Sequence, residues 1–263
     1  MRDYYLFQLD PTLFRVGGVG IGWYVVMFAL CCVSGVALWL WQMWRGGYDR
    51  KVFLRFAPIG TLWVIVGARL GQVFFYNPDI YLANPIEILK IWEGGLASHG
   101  AFVSMALAFT YFAHRHGYSV LDMFDRFMPS ATFGSACVRV GNFLNSEIVG
   151  RETDVPWAVR FMYYDSGRVP RHPVQLYEAG LLLLTFAVVM IVDARLGERR
   201  PAGLLTGLFS VVYFGGRFFL EFAKQPLKLD AGSAYTLGQF LSLVPVAFGI
   251  LLFARSGWIS RAR

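Results

Sequence analysis

The sequence predicts an all-α integral membrane protein: a bundle of seven transmembrane helices with a small external (periplasmic) lobe and an interfacial arm. Two observations carry this. The 263 residues are 56% hydrophobic and 17% aromatic but only 16% charged, with a mean hydropathy of +0.49. A soluble domain carries about 25% charged residues. Seven apolar stretches also reach or approach the roughly 20 residues that a helix needs to cross about 30 Å of hydrocarbon. The chain therefore reads as a single membrane domain, residues 1–263.

The spans are expected at 19–44, 57–76, 96–113, 127–146, 174–192, 203–223 and 235–254. Turn and charge signals separate them: Arg45 to Lys51, Asn77-Pro78, His114 to Gly117, Gly197 to Pro201 and Gln225-Pro226. The fourth span is the weakest by hydropathy, because it holds Arg139 and two asparagines. Met1 to Leu9 mixes charged and aromatic residues, and the first apolar run is too long for the core of a cleavable signal. That run is expected to stay as a membrane anchor.

Short loops orient the bundle, since Lys and Arg collect on the cytoplasmic side. One set of loops holds Arg45, Arg50, Lys51 and Arg55, then Arg115 and Arg126, then Arg195, Arg199 and Arg200, then Arg255, Arg261 and Arg263. The alternate set holds Lys90, Arg151, Arg160, Arg168, Arg171, Lys224 and Lys228, mostly within one long loop that the rule discounts. The first set is thus expected to be cytoplasmic, with the N-terminus external and the C-terminus inside. This accounts for the net charge of +7 without nucleic acid. Residues 77–94, with Ile and Leu at near-helical spacing, form the expected interfacial arm. Residues 147–173, polar and proline-bearing, form the expected external lobe. Cys31, Cys32 and Cys137 lie in apolar runs without disulfide or metal-ligand spacing, so packing is their reading and neither metal nor cofactor is expected.

Polar residues inside the spans point to function, because a charge near a helix centre costs roughly 2.5–3.5 kcal/mol on insertion scales. Under the expected topology Tyr24, Arg69, His99, Arg139, Asn142, Asn145, Tyr213, Arg217 and Glu221 fall toward the outer ends of their helices. His172, Gln175 and Glu178 surround the outer end of the fifth. Arg139, Asn142 and Asn145 step by three, and Tyr213, Arg217 and Glu221 by four, so each trio shares a helix face. Forked arginine donors suit a phosphate. Plainer readings stand beside this one: an Arg217–Glu221 ion pair, a snorkelling Arg69, a capping His99, and a Tyr24 in an aromatic belt. Convergence at one depth favours a single polar cavity in the outer leaflet.

Arg139-Val-Gly-Asn-Phe-Leu-Asn-Ser-Glu147 with Gly150-Arg151 resembles the signature of the bacterial prolipoprotein diacylglyceryl transferases. So do Gly22-Trp-Tyr24, Gly67-Ala-Arg-Leu-Gly71 with Phe75-Tyr76, Gly94-Gly-Leu-Ala-Ser-His-Gly100, His172-Pro-Val-Gln-Leu-Tyr-Glu178, and Arg217-Phe-Phe-Leu-Glu221 with Gln225-Pro226. The blocks fall in the family's order and span nearly the whole chain. The sequence departs at Val138, where the family usually has Gly, at Val149, a common Trp, and at Lys224, a frequent Arg.

The resemblance implies a multi-pass enzyme of the bacterial inner membrane with its active site toward the outer leaflet. Its substrates would be phosphatidylglycerol and the lipobox signal peptide of a preprolipoprotein, its products a thioether and glycerol 1-phosphate. A membrane-embedded monomer without cofactor or nucleic acid is expected. The nucleophile then belongs to the substrate, so no cysteine here needs a catalytic setting. His99 becomes the candidate base, and Arg139 and Arg217 the groups that bind the phosphate and stabilise its leaving charge. Tyr24, Arg69, Asn142, Asn145, Glu147, Gly150, His172, Gln175, Tyr213 and Glu221 become candidate substrate-binding residues, with Glu221 holding Arg217. The rival reading from another class is a transporter or flippase of an anionic phospholipid headgroup. Against it, the sequence has no repeat symmetry and no coupling-ion site.

Overall fold

A computed structural model describes residues 4–17, 19–76, 78–90, 97–225 and 235–256. Asn77, Trp92, the Gly94-Gly-Leu part of its motif, Pro226, Lys228, Arg261 and Arg263 lie outside the described residues, as does the end of the expected arm, 91–94.

Glycine decides where the first helix begins. A short strand, Tyr5–Phe7 (β1), precedes a hairpin of Thr12–Val16 (β2) and Val19–Gly22 (β3). The span expected from residue 19 therefore starts as a strand. Each glycine costs a helix interior about 1 kcal/mol relative to alanine, and Gly17, Gly20 and Gly22 crowd this stretch. The first helix, Trp23–Arg45 (α1), starts where Trp23 N–H donates to the Pro11 carbonyl. The other long helices are Arg50–Phe75 (α2), Ser98–His116 (α4), Val120–Leu144 (α5), Val174–Leu196 (α7), Leu204–Leu220 (α8) and Leu237–Ser256 (α9). Pro78–Ala83 (α3) and Met162–Asp165 (α6) are short.

Among the described residues, five helical stretches are long and apolar enough to cross a membrane: Trp23–Arg45, Arg50–Phe75, Val174–Arg199, Leu204–Ala223 and Leu237–Ser256. The third and fourth expected spans fall on α4 and α5, where Asp122, Asp125, Arg126 and Arg139 lower the apolarity of α5. Large apolar side chains such as Val33, Phe75 and Leu251 stand exposed, while Gln42, Thr132, Gln239 and Ser242 are buried. This pattern is suited to a surface solvated by lipid.

The chain divides into two compact units: Met1–Trp39 with Asp125–Arg263, and Leu40–Phe124. In the first, Ser130 Oγ of α5 donates to the Gly35 carbonyl of α1 at 2.8 Å. Gly207 and Gly249 let α8 and α9 approach backbone to backbone, since a Cβ on Gly249 would stand 2.9 Å from the Gly207 carbonyl oxygen. One end of α8 is capped by Asp125, whose carboxylate accepts from Gly203 N–H and Thr206 N–H, each at 2.8 Å. Arg200 pairs with Asp193 at 3.1 Å beside it. This buried network joins α5, α7 and α8 about 20 Å along α8 from Arg217.

Strands Val159–Phe161 (β4) and Pro170–Arg171 (β5) complete a small sheet in the order β1-β4-β5, with β1 and β4 parallel. Phe7, Val149, Val159 and Phe161 form its core against Phe143 and Leu144 of α5. The sheet is thereby tied to the end of α5 that carries Arg139.

In the second unit, Asp49 caps α2 by accepting from Lys51 N–H at 2.8 Å, and Gly117, at φ 68°, ends α4 in the left-handed conformation. The Gly67-Ala-Arg-Leu-Gly71 motif is a helix-crossing device. A Cβ on Gly100 would lie 2.2 Å from the Gly67 carbonyl oxygen and 2.8 Å from Gly71 Cα. Small residues at this spacing bring helices together in a membrane. Gly100→Leu is expected to force α2 and α4 apart, with a cost at or above the usual 1–3 kcal/mol of overpacking. A lowered thermal unfolding midpoint in detergent is the check.

Candidate active site

Arg139 leaves α5 near its end, about one and a half turns before Leu144 ends the helix. Its Nε lies 2.6 Å from Glu178 Oε2, and its Nη1 donates to Asn142 Oδ1 at 3.3 Å. Asn142 Nδ2 donates in turn to Glu147 Oε2 at 3.2 Å, and Asn145 Nδ2 donates to Glu147 Oε1. Gln175 of α7 donates to the Glu147 backbone carbonyl at 2.6 Å. The turn that makes this possible is unusual. Ser146 and Ile148, on either side of Glu147, both have positive φ, at 55° and 53°. A β-branched residue is an outlier there, at a cost of roughly 1–2 kcal/mol. The turn folds the Glu147 carboxylate back over the end of its own helix. Ile148→Gly is expected to stabilise the protein by about 0.5–1 kcal/mol, after the entropy cost of glycine. A higher unfolding midpoint with activity retained is the expected readout.

Glu178 is the centre of the arrangement. It opens the second turn of α7, is 1% exposed, and takes Arg139 on one oxygen and Lys224 Nζ, at 2.5 Å, on the other. Arg217 Nη1 stands 3.7 Å from the same Oε1 and donates to Tyr213 Oη at 3.3 Å, one turn back along α8. Burying a carboxylate among cations orients them more than it stabilises the fold, because desolvation offsets much of the attraction.

Glu221 stands one helical turn from Arg217, near enough for its charge to act on the guanidinium. Its ion pair among the described residues is with Lys224, at 3.6 Å, not with Arg217. Glu221 N–H donates to the Arg217 carbonyl, so the α-helical repeat holds as far as this residue, where the 3₁₀ turn Glu221–Ala223 begins. The Glu221 carboxylate lies against Gly238 in the first turn of α9, where an added Cβ would meet its atoms at 2.3–2.5 Å.

Gly150 and His172 hold backbone together. Gly150 N–H donates to the His172 carbonyl and Arg151 N–H to the Ala223 carbonyl, both at 3.0 Å, and Gly150 bridges Lys224. A Cβ on Gly150 would stand 2.5 Å from the His172 carbonyl oxygen, so only glycine fits. The His172 ring contacts Tyr177 Oη through Nδ1 at 3.2 Å. Burial, and after it Arg151, lowers its pKa and favours the neutral imidazole. The Tyr24 ring covers Gly141 of α5, 3.2 Å from where a Cβ would be.

Arg69 and His99 belong to the second unit. Arg69 is buried, and its guanidinium donates to the carbonyls of Glu87, Ile88 and Lys90 while lying 4.9 Å over the Tyr81 ring. It braces α3 and the following 3₁₀ turn, Pro85–Leu89. His99 is exposed in the first turn of α4, with Nδ1 3.4 Å from Tyr76 Oη. Its neighbour Gly100 fixes that turn against α2.

The first unit thus brings together Arg139, Asn142, Asn145, Glu147, Gln175, Tyr213 and Arg217. Glu178 and Lys224 were not among the candidate site residues, although both lie in the motif blocks. A carboxylate at the head of an apolar span was the signal that pointed to Glu178. Both arginines keep unspent donors: Arg217 is engaged through Nη1, and Arg139 through Nε and Nη1, among the described residues. Their side chains are 21% and 27% exposed, so each guanidinium presents part of its fork outward from the buried carboxylate. Such a site can take an oxyanion.

The chain matches the sequence family described as prolipoprotein diacylglyceryl transferase over residues 11–255. It is similar to the phosphatidylglycerol–prolipoprotein diacylglyceryl transferase of Nitrosomonas europaea, at 38% identity over 93% of this chain and 89% of the relative. Proteins of the same name from Tolumonas auensis and Chloroherpeton thalassium are each 39% identical, over 94% and 97% of this chain and 95% of each relative. Identity at this level across nearly the full length carries the motif blocks with it, and the chain belongs to the prolipoprotein diacylglyceryl transferase family.

Proposed function

We propose that this protein transfers the diacylglyceryl group of phosphatidylglycerol to the lipobox cysteine of a preprolipoprotein. The cysteine sulfur forms a bond to the glyceryl carbon, the carbon–oxygen bond to phosphate breaks, and glycerol 1-phosphate departs. The thiol proton passes to a base. The observation that carries this reading is the pair of arginines on one buried carboxylate, each with donors left for a phosphate.

Arg139 and Arg217 hold the phosphate and stabilise the charge that grows on its oxygen as it leaves. Fixed donors in a dry site need no reorganisation at that moment. His99 takes the thiol proton, since imidazole titrates near the working pH and a free thiol is mostly protonated there. Asn142, Asn145, Glu147, Tyr213 and Tyr24 line or orient the headgroup site. Gly150, His172 and Gln175 support it through the backbone, Glu221 through Lys224, and Arg69 braces the arm.

The protein is a monomer of seven membrane-crossing helices in the bacterial inner membrane. Its N-terminus, the lobe of residues 147–173 and the site lie on the outer side, and its C-terminus is cytoplasmic. The excess of Lys and Arg in the short loops around residues 45–55, 115–126 and 195–200 supports this orientation. No cofactor or metal is required by the chemistry.

Purified protein mixed with phosphatidylglycerol and a lipobox peptide should release glycerol phosphate and add a diacylglyceryl mass to the peptide. A Cys→Ser peptide should stop both. Lipid movement across the bilayer without a covalent product would instead mark a transporter.

A further inference from the structure

Glu178 presents a problem of charge. A carboxylate 1% exposed and 2.6 Å from Arg139 would neutralise one of the two arginines and weaken the hold on an anion. Lys224 answers it. Its Nζ stands 2.5 Å from Glu178 Oε1 and 3.6 Å from Glu221 Oε2. Its backbone is strapped independently of its side chain, by the bridge to Gly150 and by the Arg151 Nε donation to the Lys224 carbonyl at 3.2 Å.

The cluster holds three cations, Arg139, Arg217 and Lys224, against two carboxylates, Glu178 and Glu221, among the described residues. The surplus is one positive charge, and it sits on the more exposed arginines. Glu147, the remaining nearby carboxylate, is exposed, so solvent screens its charge, and its Asn142 and Asn145 partners are neutral. A phosphodiester carries one negative charge. A departing phosphomonoester carries about 1.5 to 2 at neutral pH, so it is held more tightly than the substrate by any cationic site.

We propose that Glu178 and Lys224 form a charge-balancing pair that sets the phosphate affinity of Arg139 and Arg217, strong enough for the donor lipid yet weak enough to release glycerol phosphate. Glu178 acts as a positioning residue, aiming both guanidiniums. Lys224 keeps their charge from being spent on Glu178. The inference rests on the site being the phospholipid phosphate site proposed above.

The two single substitutions move affinity in opposite directions. Glu178→Gln raises the surplus to two charges, and Lys224→Met removes it. A unit charge within a few ångströms of a bound phosphate at a partly solvated site is worth about tenfold in binding. Binding of glycerol 1-phosphate to purified protein, followed by calorimetry, is therefore expected to tighten about tenfold in E178Q and weaken about tenfold in K224M. The E178Q/K224M double variant should return close to the parent value, and K224R should match it. In turnover, E178Q should lose kcat with stronger inhibition by glycerol 1-phosphate, while K224M should raise KM for phosphatidylglycerol.

A merely structural pair would lower the unfolding midpoint of both variants and leave the two dissociation constants unchanged or shifted the same way. That result overturns the inference. Should E178Q fail to fold, K224M against K224R decides alone, and equal glycerol 1-phosphate affinities overturn it. Failure of the functional reading is separate: the parent protein would give no peptide adduct, whatever the order of the dissociation constants.

Discussion

Arg139→Ala and Arg217→Ala are each expected to reduce diacylglyceryl transfer by at least 10²- to 10³-fold, while the protein still inserts and purifies. Loss of one fixed donor to a developing oxyanion costs about 2.7–4 kcal/mol, and each arginine supplies a full charge besides. Their positions differ. Arg139 is held at 2.6 Å by Glu178 and by Asn142, whereas Arg217 stands at 3.7 Å and leans on Tyr213. Arg→Lys at either position keeps the charge but loses the planar fork, so activity between that of parent and alanine variant is expected. Glycerol phosphate release from phosphatidylglycerol, with a lipobox peptide as acceptor, measures both. Near-normal turnover in either alanine variant would sink the phosphate-holding role.

His99→Ala should lower the rate by about 10²- to 10⁴-fold if one base takes the thiol proton. The loss should shrink as the pH is raised, because more of the peptide thiol is then already ionised. A pH-independent loss would mean that His99 supports the first turn of α4 instead. A loss of only a few-fold would mean that the arginine field activates the thiol unaided. Tyr76→Phe removes the 3.4 Å contact to His99 Nδ1 while keeping the ring, and serves as the milder companion variant.

The helices were legible for a local reason. Apolarity over roughly 20 residues and charge at the breaks are properties of contiguous sequence, so α2, α7, α8 and α9 overlap their expected spans. The first helix starts four residues late because hydropathy does not register the cost of Gly17, Gly20 and Gly22 in a helix. These residues are apolar enough to join the run yet form the hairpin with Thr12–Val16. The all-α expectation likewise passed over β1, β4 and β5, which are two or three residues each and too short for an alternating pattern to register.

Site residues divide in the same way. Arg139, Asn142 and Asn145 lie within two turns of one helix, and their shared face follows from the helical repeat alone. The contact between Arg217 and Glu178 depends on how α7 and α8 cross, through Gly216 against Leu181 and Tyr213 in the core with Leu182. No spacing within either segment encodes that crossing. Arg69 has the same isolated charge in an apolar helix as Arg139, yet its donors go to the carbonyls of residues 87, 88 and 90.

By itself, then, the sequence determined the membrane class, the family and the polar residues that share a helix face, since these follow from composition and from motifs written in contiguous stretches. The tertiary structure decided which carboxylate each cation meets. It placed Glu178 beneath Arg139, Arg217 and Lys224, set the Glu221 carboxylate against α9, and brought Arg69 to the carbonyls of residues 87, 88 and 90. Ion pairing falls off within a few ångströms, and only the packing of whole helices sets distances that short between residues far apart in the chain.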